Sequence, residues 1–191
     1  MLSLKKLQAL LIDNFNYIRE SGGSEKDSAD GMAGAIVGYV EDLEALIPTP
    51  FTIPAVPSPV PDPSVIGRKV PVSGHTAGET VLSKSIQASY KAQDPTLGLI
   101  GTAINTYVTT LVTFSTPPPT PPLSINGVSV IAPVILAPVT PIGMAGGEIE
   151  DVMKVMAGII HTSFMAGTIS GVGTNLSAGA TIPTPVVAKF I

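Results

Sequence analysis

His75 and His161 are the only histidines of the chain, and its 191 residues include no cysteine. These two imidazoles are therefore the only side chains whose ordinary pKa suits proton transfer near neutrality. Neither has a partner at a spacing that catalysis uses. His75 follows Gly74 in a loop-forming stretch near Glu79, and His161 falls on an apolar helical segment. Each reads as a structural or surface residue rather than as a base or a ligand. No Ser/His/Asp grouping has a supporting context such as G-x-S-x-G. Glu41, Asp42 and Glu44 form an acidic trio, but no histidine or second carboxylate cluster stands nearby in sequence, so a solvated face is expected. Gly143-Met-Ala-Gly-Gly147 opens a helix yet lacks the Lys and Ser/Thr with which a P-loop holds phosphate, which leaves a flexible turn. The expectation is a protein with no catalytic, cofactor-binding or metal-binding residues, and hence not an enzyme.

Composition narrows the classes further. The net charge is −4 and the ten basic residues are scattered, so no cluster could neutralise a run of phosphates and nucleic acid is not an expected partner. Charged residues make up only 13%, while the hydrophobic share of 45% is ordinary. Disorder normally combines low hydrophobicity with high charge, the reverse of this balance. Lys5-Lys6 precedes an apolar run that Asp13 and Asn14 stop too soon for a signal peptide. The longest apolar stretch, Val128 to Ile142, is broken by Pro133, Pro138 and Pro141, so no membrane span is expected.

The elements that would carry these residues are mainly helical. Leu4, Leu7, Leu11 and Ile18 repeat at heptad spacing beside Phe15, which predicts a first helix from Leu2 to Glu20. Asn14 falls in that seam; the helix could dock on its own core or on a copy of itself. A second helix is expected from Ser28 to Leu46, capped by Ser28 or Asp30, with Met32, Ile36, Val40, Leu43 and Ile47 on one stripe. Pro48 to Pro71 predicts an extended, polyproline-like arm lying on a neighbouring surface. Val70 to His75 reads as a short strand and turn. A third helix follows from Thr76 to Lys91, with Val81, Leu82, Ile86 and Tyr90 inward. Asp94-Pro95 starts a fourth, which runs to Leu111. Apolar alternation around Asn126-Gly127 predicts a hairpin centred on that pair. A fifth helix spans Gly147 to Gly167, with Glu148, Glu150 and Asp151 favourably placed in its first turn. Thr168 to Ile191 reads as an extended tail.

From Pro95 to Gly147 no residue carries charge. A surface that long without ionised side chains implies something packed over it. A short repeat also emerges: Ala35-Ile-Val-Gly-Tyr-Val40 matches Ala103-Ile-Asn-Thr-Tyr-Val108, and Gly158-Ile-Ile-His-Thr-Ser-Phe164 is a looser third copy. The recurring unit is a helix ending near an aromatic, then an extended arm.

The fold class expected is mainly α, with about five short-to-medium helices joined by long Pro/Thr/Gly-rich arms and one or two short β-hairpins. It divides as a helical pair (1–47), a Pro-rich arm (48–78), central helices (79–112), an uncharged Pro-rich arm with hairpin (113–147), and a C-terminal helix with extended tail (148–191). Helices with A-I-x-x-Y-V ends, arms such as Thr181-Ile-Pro-Thr-Pro185, no Cys or Trp and sparse charge resemble the small tail, baseplate or neck proteins of tailed bacteriophage virions. The resemblance is one of style across most of the chain and carries over no functional residue. It implies a non-enzymatic virion structural protein, assembled in the host cytoplasm. Its partners would be copies of itself and other virion proteins, with no small-molecule substrate. The alternative is an envelope- or membrane-associated surface protein whose apolar arms contact lipid.

Overall fold

The structure is a computed structural model that describes residues 2–47, 51–53, 60–62, 67–113, 123–144, 146, 148–177 and 180–191. Among these, six helices and a curled antiparallel sheet share one hydrophobic core. Helix α1 (Leu4–Ser21) is capped by the Ser3 hydroxyl, which accepts from the Lys6 amide, and ends on Gly22 at φ 67°, a left-handed position that glycine adopts without strain. Its predicted seam is real: Leu7 and Leu11 are fully buried, and Leu4 and Phe15 pack beside them on the chain's own core.

Helix α2 (Glu25–Val40) begins earlier than its apolar stripe suggests. Ser24 accepts from the Asp27 amide while the Asp27 carboxylate accepts from the Ser24 amide, a reciprocal capping box one turn before Ser28. It also ends earlier, at Val40. Leu43, Ala45 and Ile47 are all buried, a period of two in place of helical spacing, because Glu44–Leu46 is strand β1. The stripe read from the sequence suited either period at its end, and pairing with neighbouring strands selected the strand. Helix α2 mixes small buried residues, Ala29, Ala33 and Ala35, with the larger Met32, Ile36 and Tyr39. A Cβ on Gly31 would lie 1.6 Å from the Asn14 amide oxygen, so α1 rests directly on α2 there.

Strands β2 (Phe51–Ile53) and β3 (Val60–Asp62) form a separate antiparallel pair inside the expected Pro-rich arm, which therefore has ladder bonds of its own; the rest of residues 48–66 lies outside the described residues. Strand β4 (Lys69–Ser73) matches the predicted short strand. Helix α3 (Glu79–Ala92) buries Leu82 and Ile86 but leaves Val81 57% exposed, against the expectation that it points inward. Helix α4 (Gly98–Val108) starts four residues after Asp94. The Asp94 carboxylate accepts from the Thr96 and Leu99 amides, and this polar turn postpones the first helical residue that Pro95 suggested.

The main sheet is completed by β5 (Val112–Thr113), β6 (Leu123–Val130), β7 (Thr168–Ser177) and β8 (Ala180–Phe190), in the order β5-β4-β1-β8-β7-β6 with every pair antiparallel. This sheet is larger than the one or two hairpins expected. Asn126 and Gly127 do not turn; β6 runs through them, with Asn126 opposite Val172 and Gly127 opposite Gly171. A Cβ on Gly127 would lie 2.1 Å from the Ser170 carbonyl oxygen, so glycine serves close strand approach here rather than a turn. The long hairpin is β7–β8, formed by the segment read as a tail. On β8 the Phe190 amide donates to Gly167 and the Ile191 amide to Glu44, so odd-numbered residues turn their amides away from β7. Pro183 and Pro185 are odd and lie beyond the end of β1, where a missing donor breaks no ladder bond between described strands.

A 3-10 turn (Ala137–Val139) and α5 (Thr140–Met144) lead towards α6 (Ile149–Met165). The repeated hexapeptide occupies equivalent places. Helices α2 and α4 end at Val40 and Val108, Tyr39 and Tyr107 are buried, and Leu43 and Leu111 enter β1 and β5. Those two strands flank β4 on either side, and α2 and α4 both pack on α3.

Candidate functional site

Within the uncharged stretch, segment 127–136 carries three of the four large hydrophobic side chains that are exposed among the described residues, Leu99 of α4 being the fourth. The segment alternates: Ser129, Ile131, Val134 and Leu136 are buried, while Val128, Val130, Pro133 and Ile135 are exposed. The buried flank is held by specific contacts. The Ser129 hydroxyl donates to the Leu111 carbonyl at 2.9 Å, which satisfies its burial and brings the sheet's two edge strands, β5 and β6, together. The Val134 amide donates to the Asn105 side-chain oxygen at 3.4 Å. A Cβ on Gly101 would meet the Val134 carbonyl oxygen at 2.1 Å, so α4 lies directly on this segment.

The other flank has no such cover. Val128, Val130 and Ile135 are 57%, 53% and 63% exposed. Register sets Val128 beside Ser170 and Ser170 beside Val187, itself 53% exposed, so these three share one row of the outer face. The adjoining row is Val130, Thr168 and Lys189, and Lys189 is the one ionised side chain in the two rows. Beyond the strand, Ala132, Pro133 and Ile135 form one wall of a groove of about 530 Å³, and Val155, Ile159 and Thr162 of α6 form the other. The Ala132 amide, donating to the Ser163 carbonyl at 3.3 Å, ties the two walls. Gly158 lines the same groove, and beyond the adjoining helix backbone nothing lies within 4 Å of where its Cβ would be.

Much of the uncharged stretch is covered from within. Ile100, Ala103, Ile104, Tyr107 and Val108 of α4 face the shared core, and the opposite side of that helix shows Thr102, Thr106 and Thr109. The expectation of an external cover for the whole stretch contracts to the exposed flank of 127–136 and the groove beside it. Residues 114–122, which hold the Pro117–Pro122 run, lie outside the described residues.

The two histidines sit with different tyrosines. The His161 Nδ1 lies 2.7 Å from the Tyr39 hydroxyl, and Tyr39 packs edge-on against Phe164 at 5.7 Å. Burial pushes the Tyr39 hydroxyl well above its ordinary pKa and holds the His161 imidazole below its own, so the pair is a neutral hydrogen bond. Near His75, the Tyr107 hydroxyl donates to the His75 carbonyl at 2.8 Å, and burial, with Glu79 and Glu41 adding to it, raises the Tyr107 pKa. The His75 Nδ1 is buried without a hydrogen-bond partner among the described residues.

The acidic trio is spread over paired positions. Lys6 bonds Asp42 at 2.8 Å and Lys69 meets Glu44 at 3.5 Å, while Glu41 is exposed. Among the described residues no three His, Asp or Glu side chains come together as a metal site would require. Gly143 and Met144 of the glycine-rich segment close α5, and residues 145 and 147 lie outside the described residues. Helix α6 then opens at Glu148, an acidic start unsuited to phosphate. The alternation from Leu123 to Ile131 was visible in the sequence; what the Asn-Gly pair concealed was that β6 runs through it to Val130 without turning. No protein-family model, curated protein or solved structure matches this chain.

Proposed function

We propose that this chain is a non-enzymatic structural subunit that assembles with copies of itself through the exposed flank of 127–136, the outer face of β6–β8 and the adjoining groove on α6. The observation that carries the reading is the grouping of Val128, Val130, Ile135 and Val187, each more than half exposed, where the two strand rows hold a single ionised side chain, Lys189. Single exposed apolar residues are ordinary, but four exposed aliphatic side chains, spaced only by Ser170 and Thr168 on the sheet and set beside an apolar groove, fit an association surface. The chain's resemblance to tail, baseplate and neck proteins of phage virions supports a mechanical role within such a particle, where each subunit also meets other structural proteins. Among the described residues no helix is long and apolar enough to cross a membrane.

Mass photometry and sedimentation velocity of the purified chain across a wide concentration range test the proposal. Assembly predicts discrete multiples of the 19.5 kDa chain mass that grow with concentration. A single 19.5 kDa species at every concentration would refute self-assembly, and binding to lipid vesicles in place of self-association would favour the membrane-surface alternative.

A further inference from the structure

Between α1, α2, α3, α4 and α6 lies a cavity of about 240 Å³, separate from the outer face proposed for assembly. Its walls are apolar: Leu11, Phe15, Ile100 and three methionines, Met32, Met153 and Met156. Methionine is unbranched and polarisable, so Met32 from α2 with Met153 and Met156 from α6 make a lining that adapts to the shape of an occupant. The polar groups that reach it are the Asn14 amide and the hydroxyls of Ser28 and Tyr90.

Tyr90 is the distinctive member. Its hydroxyl is largely buried, and its pKa is raised by that burial. The contacts it makes among the described residues are weak: Ser28 donates to it at 3.4 Å, and its own proton points to the Met32 sulfur at 3.9 Å. A buried donor with so poor an acceptor gains from any oxygen placed within reach. Ser28, Tyr90 and Leu97 also line a second, outer cleft of about 440 Å³, so they form the neck between the cavity and the surface. That cleft presents Glu25 and Asp94 and no basic residue, which disfavours an anionic ligand.

We propose that this cavity is a binding site for a compact, neutral, apolar molecule bearing one hydrogen-bond acceptor, of the size of a monocyclic aromatic ketone, whose oxygen takes the Tyr90 hydroxyl proton. The size follows from comparison with an apolar cavity of about 150 Å³, which holds benzene. The neutral character follows from a lining without any ionisable partner for a charge beyond the phenol itself.

Acetophenone and α-methylstyrene make a matched pair of probes, since they differ only by an oxygen in place of a methylene. With selectively ¹³C-methyl-labelled methionine in the full chain, titration with acetophenone is expected to shift the Met32, Met153 and Met156 resonances saturably. One hydrogen bond to the ligand oxygen gives acetophenone a preference of roughly three- to tenfold over α-methylstyrene. Tyr90→Phe, which removes only the hydroxyl, should abolish that preference while retaining both shifts. Met153→Phe, which fills the cavity, should weaken both. Absence of saturable shifts at these three methyls in the unmodified protein would overturn the proposal, as would equal binding of the two probes. Each readout is independent of oligomer size, so assembly through β6–β8 can fail or hold without deciding this result.

Discussion

Val128→Asp is the sharpest test of the outer face, because the structure supplies a matched control. Val128 on β6 and Val81 on α3 are equally exposed, at 57%, and belong to different surfaces of the molecule. Neither substitution removes a core contact, so each should leave monomer stability nearly unchanged, within about 1 kcal/mol for the strand position. In an assembly the two differ. Fully burying a valine is worth about 1.5–3 kcal/mol, and slightly over half of Val128 remains to be buried, so its loss removes about 1 kcal/mol per copy. A carboxylate left without a partner in the contact adds about 1–3 kcal/mol or more. Together these come to about 2–4 kcal/mol for each side of the contact, or roughly 30- to 1,000-fold in association constant at 1.4 kcal/mol per tenfold. Sedimentation velocity over a dilution series reads that constant, and a thermal melt of the dissociated protein checks the fold. Val128→Asp should dissociate where the parent and Val81→Asp remain associated. If Val128→Asp associates as tightly as the parent, or if both variants weaken equally, the surface has been placed wrongly.

Three further substitutions probe the fold that positions this face. Gly101→Ala should destabilise by up to about 2 kcal/mol in a denaturant melt: alanine favours the helix by about 1 kcal/mol, but its Cβ collides with the Val134 carbonyl and overpacking of that kind costs about 1–3 kcal/mol. Ser24→Ala, which breaks the capping box of α2, should cost about 1 kcal/mol by the same measurement. His161 supplies a pH dependence. Its folded pKa lies below the ordinary value of 6.5, so below that pH the unfolded chain binds more protons than the folded one. Stability should therefore fall as pH drops through 6.5 towards the depressed folded pKa, and His161→Gln should remove that slope from a series of melts between pH 7.5 and 5. A parent protein whose melting midpoint rises on acidification across this range would contradict the burial of the Tyr39–His161 pair.

Five of the six helices were legible because each carries its own evidence; α5, within the stretch expected as an uncharged arm, was not. The seam of Leu7 and Leu11, the stripe of Leu82 and Ile86, and the run from Val152 to Phe164 repeat at helical spacing, and burial of one face follows from that spacing alone. Their starts were less legible. Ser24 and Asp27 form a box that the sequence contains, yet Ser28 and Asp30 are equally acceptable caps until the partners are seen. The candidate surface was half visible: the absence of charge from Pro95 to Gly147 marked it, while which flank meets solvent depended on α4 covering the other.

By itself, the sequence determined five of the six helices, the lack of charge in the middle of the chain and the two A-I-x-x-Y-V helix ends, since all of these rest on neighbours within a few residues. Tertiary structure decided the sheet. Whether Leu43 to Ile47 continues a helix or pairs with β4 and β8, whether Asn126-Gly127 turns or runs straight, and whether Thr168 to Ile191 trails or folds into the longest hairpin all depend on strands far away in the chain. A strand's hydrogen bonds are made to another segment, so its energy is not contained in its own residues. The same dependence sets the outer face, because Val128 and Val187 become neighbours only when β7 lies between them.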